Sequence, residues 1–144
     1  MSKHKPARSS SRARGRGEKG SVSIELVILM PALFALMFLG MQAALHYQAR
    51  TVAIAAAQQG ARAVGAEHGR ESDGVHAADD FIVEAGGADV LTGTSTSASR
   101  TATRATVTVT GFSLSVIPGW KVRITQTASV PVEHLTAPIP QGSP

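Results

Sequence analysis

The sequence predicts an α+β protein in which a single N-terminal transmembrane helix extends into a long exported helix and is followed by a small antiparallel β-hairpin or sheet. Three observations predict this class: an apolar run from Ile24 to Leu45, an Ala-, Gln- and Arg-rich segment that continues the run, and a change to two-residue alternation in the final third of the chain. The chain has 144 residues, enough for one small domain beside the membrane segment.

The apolar run is the first element of the predicted fold. Between Leu26 and Met41 it contains no charged or strongly polar side chain. At about 1.5 Å of rise per residue, the run is long enough to cross a hydrocarbon core of about 30 Å. A soluble domain of this size could not surround such a helix, so residues 21–45 are predicted to span a membrane.

Two residues interrupt the apolar run. Pro31 is compatible with a membrane helix, because neighbouring groups can satisfy the carbonyl that proline leaves without a donor. The carboxylate of Glu25 is unfavourable at membrane depth unless it is paired, which makes Glu25 a candidate functional residue. The simpler alternative is that Glu25 lies at the headgroup level and reaches water.

Charge is unevenly distributed along the chain. Residues 1–20 carry seven basic residues and one acidic residue, whereas the part after the apolar run is nearly neutral. By the positive-inside rule, residues 1–20 are predicted to be a cytoplasmic leader, with the residues after the helix outside the cytoplasm. The composition of the leader predicts disorder. A basic tail can also bind nucleic acid, but this one has no aromatic residue to stack on a base, so no nucleic-acid partner is predicted.

The exported part, residues 46–133, is predicted to be an α+β domain, and residues 134–144 a flexible tail. Helix-forming residues continue from Gln42 to Ala66. A narrow stripe of small side chains in this segment is interpreted as packing on the protein's own sheet rather than as a partner site. The stripe consists of Val52, Ala53, Ala56, Gly60, Ala63 and Val64.

Turn-forming residues predict the next boundaries. A break is predicted between Gly65 and Gly74, where Gly, Ser and Asp cluster. A second, shorter helix follows from Val75 to Ala85 and is ended by Gly86-Gly87. The Thr- and Ser-rich tract from Thr92 to Thr103 is predicted to be a flexible loop.

The final third of the chain predicts strands. Apolar and polar residues alternate from Arg104 to Thr110 and again from Trp120 to Thr127. Between them, Ile117-Pro118-Gly119-Trp120 fits a type II turn, which predicts an antiparallel hairpin. A third short strand is predicted from Ala128 to Glu133 at an edge of the sheet, because it contains a proline. The large apolar residues predicted to form the core are few, chiefly Phe81, Val107, Val109, Phe112, Leu114, Trp120, Val122 and Ile124.

The sequence contains no recognisable catalytic or metal-binding constellation. There are no cysteines, which excludes disulfides and thiolate chemistry. The five histidines lack the spacing of a zinc site, and Asp79-Asp80 with Glu84 are interpreted as a solvated helix face. Phosphate-binding loops and nucleophile motifs are also missing. We therefore expect no catalytic residue, metal, cofactor, small-molecule substrate or enzymatic activity.

The start of the apolar helix resembles the processing site of type IV-type prepilins. In that family a basic leader ends in Gly, a membrane prepilin peptidase cuts after it, and the fifth residue of the mature chain is Glu. Here Gly20 precedes the cut, Ser21 begins the mature chain and Glu25 is its fifth residue. Further motifs narrow the resemblance to TadE-like pseudopilins, minor components of tight-adherence (Flp) pilus systems; these motifs are Pro31, Gly60-Ala61-Arg62, the VIPGW segment from Val116 to Trp120, and Val132-Glu133.

The resemblance implies a pilin-like α+β fold and a non-enzymatic role in assembling an adhesion pilus. It implies three partners: the membrane, other pilus or pseudopilin subunits, and a prepilin peptidase. It assigns processing to Gly20 and Ser21, and assembly to Glu25 and Pro31. After cleavage, the free α-ammonium group of Ser21 is expected to pair with Glu25 of a neighbouring subunit, because a charge pair is much stronger in low dielectric than in water.

Two alternatives stay open from the sequence. The apolar run can anchor an extracytoplasmic binding module that enters no filament. It can also act as a signal peptide that is cut near Ala43 or Ala44 to release a secreted protein. The run is longer than the apolar core of about 7–15 residues found in signal peptides, which counts against secretion.

Overall fold

A computed structural model describes residues 18–133, with side chains from Ile24 onward. The predictions for residues 1–17 of the leader and for the tail, residues 134–144, lie outside the described residues. The described part consists of two helices followed by a three-stranded antiparallel sheet, which confirms the predicted α+β class. The elements are α1 (Glu18–Gly65), α2 (Glu71–Glu84), a 3₁₀ turn (Gly87–Asp89), β1 (Leu91–Arg100), β2 (Arg104–Ser113) and β3 (Arg123–Pro131).

Helix α1 contains both the predicted membrane helix and its predicted continuation. It ends at Gly65, one residue before the predicted end of the continuation. The chain divides into two compact units between Met37 and Phe38. The described part of the first unit is the apolar beginning of α1. The second unit contains the rest of α1, helix α2 and the sheet.

Helix α2 begins earlier than predicted, because residues 71–74 belong to the helix rather than to a break. A carboxylate oxygen of Asp73 accepts a hydrogen bond of 2.8 Å from the backbone N–H of Arg70, which stabilises the first turn. Gly74 is required by packing rather than by a turn. A Cβ atom at Gly74 would lie 2.9 Å from the carbonyl oxygen of Gly60 in α1.

The sheet has the order β1-β2-β3, with β2 in the centre. The predicted hairpin between β2 and β3 and its turn are confirmed: the backbone N–H of Trp120 donates to the carbonyl of Ile117 at 3.2 Å, and Gly119 has a φ of 81°. Strand β3 starts three residues later than predicted and continues to Pro131, so the separate third strand predicted from Ala128 to Glu133 is wrong: residues 128–131 are the end of β3. Pro131 ends this edge strand, where a missing N–H interrupts no ladder.

The prediction of a flexible loop from Thr92 to Thr103 is wrong, because most of this tract forms β1. The strand pairs with β2, with Ala98 opposite Val107 and Ser97 opposite Thr108. Apart from Leu91 and Arg100 at the two ends of the strand, the positions that pair with buried residues of β2 carry the small side chains of Thr96 and Ala98, so the sequence lacks the alternation that marks a half-buried strand. The neighbouring strand, rather than local sequence, therefore defines β1.

The outer face of the sheet is built from hydroxyl side chains. Three rows cross the three strands, and cross-strand hydroxyl pairs of this kind support one register of the sheet. In the second row the hydroxyls of β2 and β3 lie 2.9 Å apart. The rows are Ser95–Thr110–Thr125, Ser97–Thr108–Thr127 and Ser99–Thr106–Ser129.

The core is rich in alanine and joins the second part of α1 to α2 and β2. A Cβ atom at Gly60 would lie 2.6 Å from the carbonyl oxygen of Gly74 and 3.1 Å from Cγ1 of Val107. The small-residue stripe of α1 therefore packs on the protein itself, as predicted. The buried apolar residues are Ala49, Ala53, Ala56, Ala57, Ala61, Val64, Ala78, Ile82, Val90, Leu91, Ala105, Val107, Val109, Ile124 and Val132.

Trp120 is not a core residue, which corrects the sequence-based prediction. The residue is 49% exposed and lies in the connection between β2 and β3. Because β3 begins only at Arg123, the alternation that suggested an inward direction does not extend to Trp120. Three other residues predicted as core are buried, namely Val107, Val109 and Ile124. The remaining four are only half-buried: Phe81, Phe112, Leu114 and Val122.

Candidate functional site

The four positions predicted for processing and assembly lie in the first part of α1. Gly20 and Ser21 follow the start of the helix at Glu18. Glu25 is exposed and has neither an ion-pair nor a hydrogen-bond partner among the residues that the structure describes. Its carboxylate is therefore available to a group outside the described part of the chain.

The surroundings of Glu25 are apolar and uncovered. Ile24 is 66% exposed and Val27 is 72% exposed, although both are aliphatic. Among the residues that the structure describes, one helix is long and apolar enough to cross a membrane, and its apolar window has a mean hydropathy of 2.3 and no buried residue. Lipid or other subunits are the environments that suit such a surface.

Pro31 adds a second polar group to this apolar segment. Proline has no backbone N–H, so the carbonyl of Val27, four residues earlier, has no donor within the helix. Both residues are exposed. This first part of α1 thus presents a carboxylate at Glu25 and, at Val27, a backbone carbonyl without its usual donor, both of which can accept hydrogen bonds from a cationic or N–H donor.

A buried polar side chain joins the second part of α1 to the sheet. Gln42 is only 6% exposed, and it is the first strongly polar residue that follows Glu25 in the apolar run. Its Nε2 donates to the carbonyl of Leu114 at 3.4 Å. Its Oε1 accepts from the backbone N–H of Val116 at 3.1 Å and lies 3.0 Å from the hydroxyl of Ser115. Sequence reasoning assigned Gln42 only to a helix and missed these contacts.

The connection between β2 and β3 is also fixed by its own hydrogen bonds. The hydroxyl of Ser115 lies 2.9 Å from the carbonyl of Ile117 and accepts from the backbone N–H of Ile117 at 3.1 Å. Since a hydroxyl has one proton, it donates at any moment either to Ile117 or to Gln42. Nearby in sequence, Ser113 Oγ and His46 Nδ1 are buried without a hydrogen-bond partner among the described residues.

At the opposite end of the sheet, a side chain of β1 forms hydrogen bonds with backbone carbonyls at the C-terminus of α1. The guanidinium group of Arg100 donates to the carbonyls of Val64, Ala66 and Glu67, at 2.8 Å for Ala66 and 3.2 Å for Glu67. The backbone N–H of Arg100 donates to a carboxylate oxygen of Glu71 at 2.9 Å. A cation at this position complements the negative end of the helix dipole. No local pattern indicates this contact, because Arg100 lies in the tract that was predicted to be a loop.

Within residues 18–133, no cluster of three or more histidine or acidic side chains could hold a metal ion. The described side chains in the first part of α1 instead include one unpartnered carboxylate, that of Glu25, in an exposed apolar helix. The second unit is a compact α+β body held together by an alanine-rich core. The class of protein defined by these features is a small α+β protein with one candidate N-terminal membrane span.

The family model described as TadE-like protein matches residues 20–62, all within α1. The resemblance to TadE-like proteins predicted from the sequence is therefore confirmed over these residues, which include Gly20, Ser21, Glu25 and Pro31. This match supports the interpretation that the protein is a component associated with tight-adherence pili. No curated protein and no solved structure matches the chain.

Proposed function

We propose that this chain is a non-enzymatic assembly subunit of a tight-adherence pilus. One observation carries the proposal: Glu25 is exposed and unpartnered among the described residues, in an apolar helix whose side chains are uncovered. A lone carboxylate in such a segment is costly in lipid, so a partner that neutralises it stabilises the assembled state. The TadE-like match over residues 20–62 is consistent with this role.

The proposed mechanism has two steps. A prepilin peptidase removes the basic leader by cutting between Gly20 and Ser21, which creates an α-ammonium group on Ser21. Glu25 of one subunit then pairs with that ammonium group on its neighbour, and the pair fixes the stagger of adjacent helices. Pro31 contributes the free carbonyl of Val27 as a further acceptor for neighbouring groups.

The proposed topology has residues 1–20 in the cytoplasm and the α+β body outside it. The charge distribution supports this orientation. A reporter that is active only outside the cytoplasm, fused after Glu133, should be active in cells. Activity restricted to a cytoplasmic reporter at the same position would contradict the orientation.

The contacts of Gln42 weigh against the secreted alternative. A signal-peptidase cut near Ala43 or Ala44 would remove Gln42 from the mature protein. The carbonyl of Leu114 and the N–H of Val116 would then lose their side-chain partner. A chain that keeps α1 intact retains these hydrogen bonds.

The mass of the mature protein tests the proposed processing. Wild-type protein from cells that assemble the pilus should begin at Ser21, and Gly20→Leu should keep residues 1–20, because a bulky side chain blocks access of the scissile peptide to the peptidase. Gly40→Leu is the matched control, since nothing lies within 4 Å of a Cβ atom at that helical glycine. A full-length wild-type protein would favour the simple membrane anchor, and a start near Ala44 would favour secretion.

A further inference from the structure

The connection between β2 and β3, residues 114–122, lies beside the part of α1 where the apolar run ends. Gln42 bonds to the backbone of Leu114 and Val116, which fixes this connection at the level of Gln42. Met41, the preceding residue, is apolar and 47% exposed. Residues 41–42 of α1 and the 114–122 connection belong to the same compact unit.

The opposite end of the sheet lies next to the far end of α1. A Cβ atom at Gly65 would lie 3.8 Å from Cβ of Ala105, near the start of β2. Strand β2 then runs to Ser113, next to the 114–122 connection. With a rise of about 3.3 Å per residue, the two ends of β2 are roughly 30 Å apart. Only the 114–122 end is therefore close to the apolar run.

The 114–122 connection exposes apolar side chains at this level. Outside α1, the described residues include three exposed large apolar side chains: Val83, Val116 and Trp120. Two of the three lie in the connection, at 36% exposure for Val116 and 49% for Trp120. Tyr47, which is 72% exposed, lies little more than one turn beyond Gln42 on α1.

These residues have the chemistry of a membrane interface. Trp and Tyr are enriched at the headgroup level, where an apolar ring contacts acyl chains and its polar atom reaches water. Lys121, which is exposed, follows Trp120 directly, and its long side chain can extend to lipid phosphates. The apolar run ends at the same level, so a bilayer crossed by α1 would have its surface here.

We propose that residues 114–122 dock on the outer surface of the membrane that α1 spans, with Trp120 inserted at the headgroup level. The partner that contacts this surface is lipid, the same lipid that surrounds the apolar part of α1. The proposal rests on the membrane orientation given under the proposed function. The Gln42 hydrogen bonds hold the connection against the helix, so the α+β body is fixed close to the bilayer rather than carried freely above it.

Trp120 is the only tryptophan of the chain, so its intrinsic fluorescence reports its own surroundings. We would reconstitute the full chain in vesicles of phosphatidylethanolamine and phosphatidylglycerol. Insertion of α1 would be checked by flotation and by resistance to alkaline extraction. The expected result is blue-shifted emission that is quenched strongly by lipids brominated near the headgroup, weakly by lipids brominated near the chain end, and weakly by aqueous iodide.

The matched control moves the tryptophan to the opposite end of the sheet. In the double variant Trp120→Phe/Thr103→Trp, the new tryptophan occupies an exposed turn position between β1 and β2. It should be quenched by iodide and unaffected by brominated lipids, while flotation and circular dichroism stay unchanged.

The outcomes separate this proposal from the membrane anchor itself. Inserted wild-type protein whose Trp120 is quenched by iodide as strongly as the control would overturn the docking but leave the anchor intact. Blue-shifted emission without quenching by brominated lipid would also overturn it, since Trp120 would then contact protein. Failure of the chain to float with vesicles would overturn both the anchor and the docking.

Discussion

Gly60 and Gly40 lie in the same helix but have opposite surroundings. A Cβ atom at Gly60 would lie 2.6 Å from the carbonyl oxygen of Gly74, whereas nothing lies within 4 Å of one at Gly40. Gly60→Ala should therefore force α1 and α2 apart and destabilise the fold by about 1–3 kcal/mol. Gly40→Ala should be neutral or stabilising by up to about 1 kcal/mol, since Ala favours helix. Thermal unfolding of both variants in detergent checks this, and equal melting temperatures would contradict the packing.

At the residue scale, local sequence identified Glu25 and Pro31 but not the partner of Gln42. Glu25 and Pro31 stand out because they interrupt an otherwise apolar run. Gln42 bonds to Leu114, which is 72 positions away in the sequence, so no local pattern indicates the contact. Gln42 ends the stretch without strongly polar side chains that begins at Leu26, which was the one available signal, and that signal does not indicate a hydrogen bond.

At the element scale, the C-terminus of α1 depends on a side chain from β1. Arg100→Met keeps the aliphatic stem but removes the hydrogen bonds to the carbonyls of Ala66 and Glu67. Loss of charge-assisted hydrogen bonds at a helix end should cost about 1–3 kcal/mol. Arg104→Met is the matched control, because Arg104 is exposed and its guanidinium has no hydrogen bond among the described residues.

Chemical denaturation of the two arginine variants measures the difference. The Arg100 variant should unfold at lower denaturant concentration with an unchanged slope, and the Arg104 variant should unfold like wild type. Equal midpoints for the two variants would show that Arg100 does not stabilise the helix end.

The elements that were predicted correctly have a recognisable pattern in their own sequence. α1 has a long apolar run and strong helix formers, and β2 alternates Ala105, Val107 and Val109 with polar residues. By contrast, β1 carries small hydroxyl side chains on its outer face and gains its definition from pairing with β2. Its strand character is a property of the sheet, which explains why the sequence suggested a loop. The exposed position of Trp120 follows in the same way from where β3 begins.

At the scale of the whole molecule, the chain separates two tasks between its two units. The second unit has an internal core, so its fold is stabilised by contacts that the chain makes with itself. The first part of α1 is apolar and exposed, and Glu25 has no partner among the described residues. Its apolar surface is visible in the composition, whereas nothing in the described residues identifies what covers it, which explains why the candidate membrane span was predictable from the sequence while its partners were not.

The proposed assembly role predicts that one charge decides incorporation into the pilus. Glu25→Gln keeps the shape of the side chain but leaves the α-ammonium group of the neighbouring Ser21 unpaired. Breaking a buried ion pair by removing one partner costs about 3–5 kcal/mol, so assembled subunits should fall on the order of a hundred- to a thousandfold. Glu84→Gln is the matched control, since it makes the same charge change at an exposed position of α2.

Sheared pili and the membrane fraction should be compared for the two variants by immunoblot. Both variants should be processed to the same mature mass and should reach the same level in the membrane, because neither change touches Gly20 or the core. The Glu25 variant alone should then be lost from the pilus fraction, together with adherence of the cells. Normal incorporation of Glu25→Gln would remove the charge pair from the mechanism, whereas loss of both variants would show that the assay reports acidic surface charge in general.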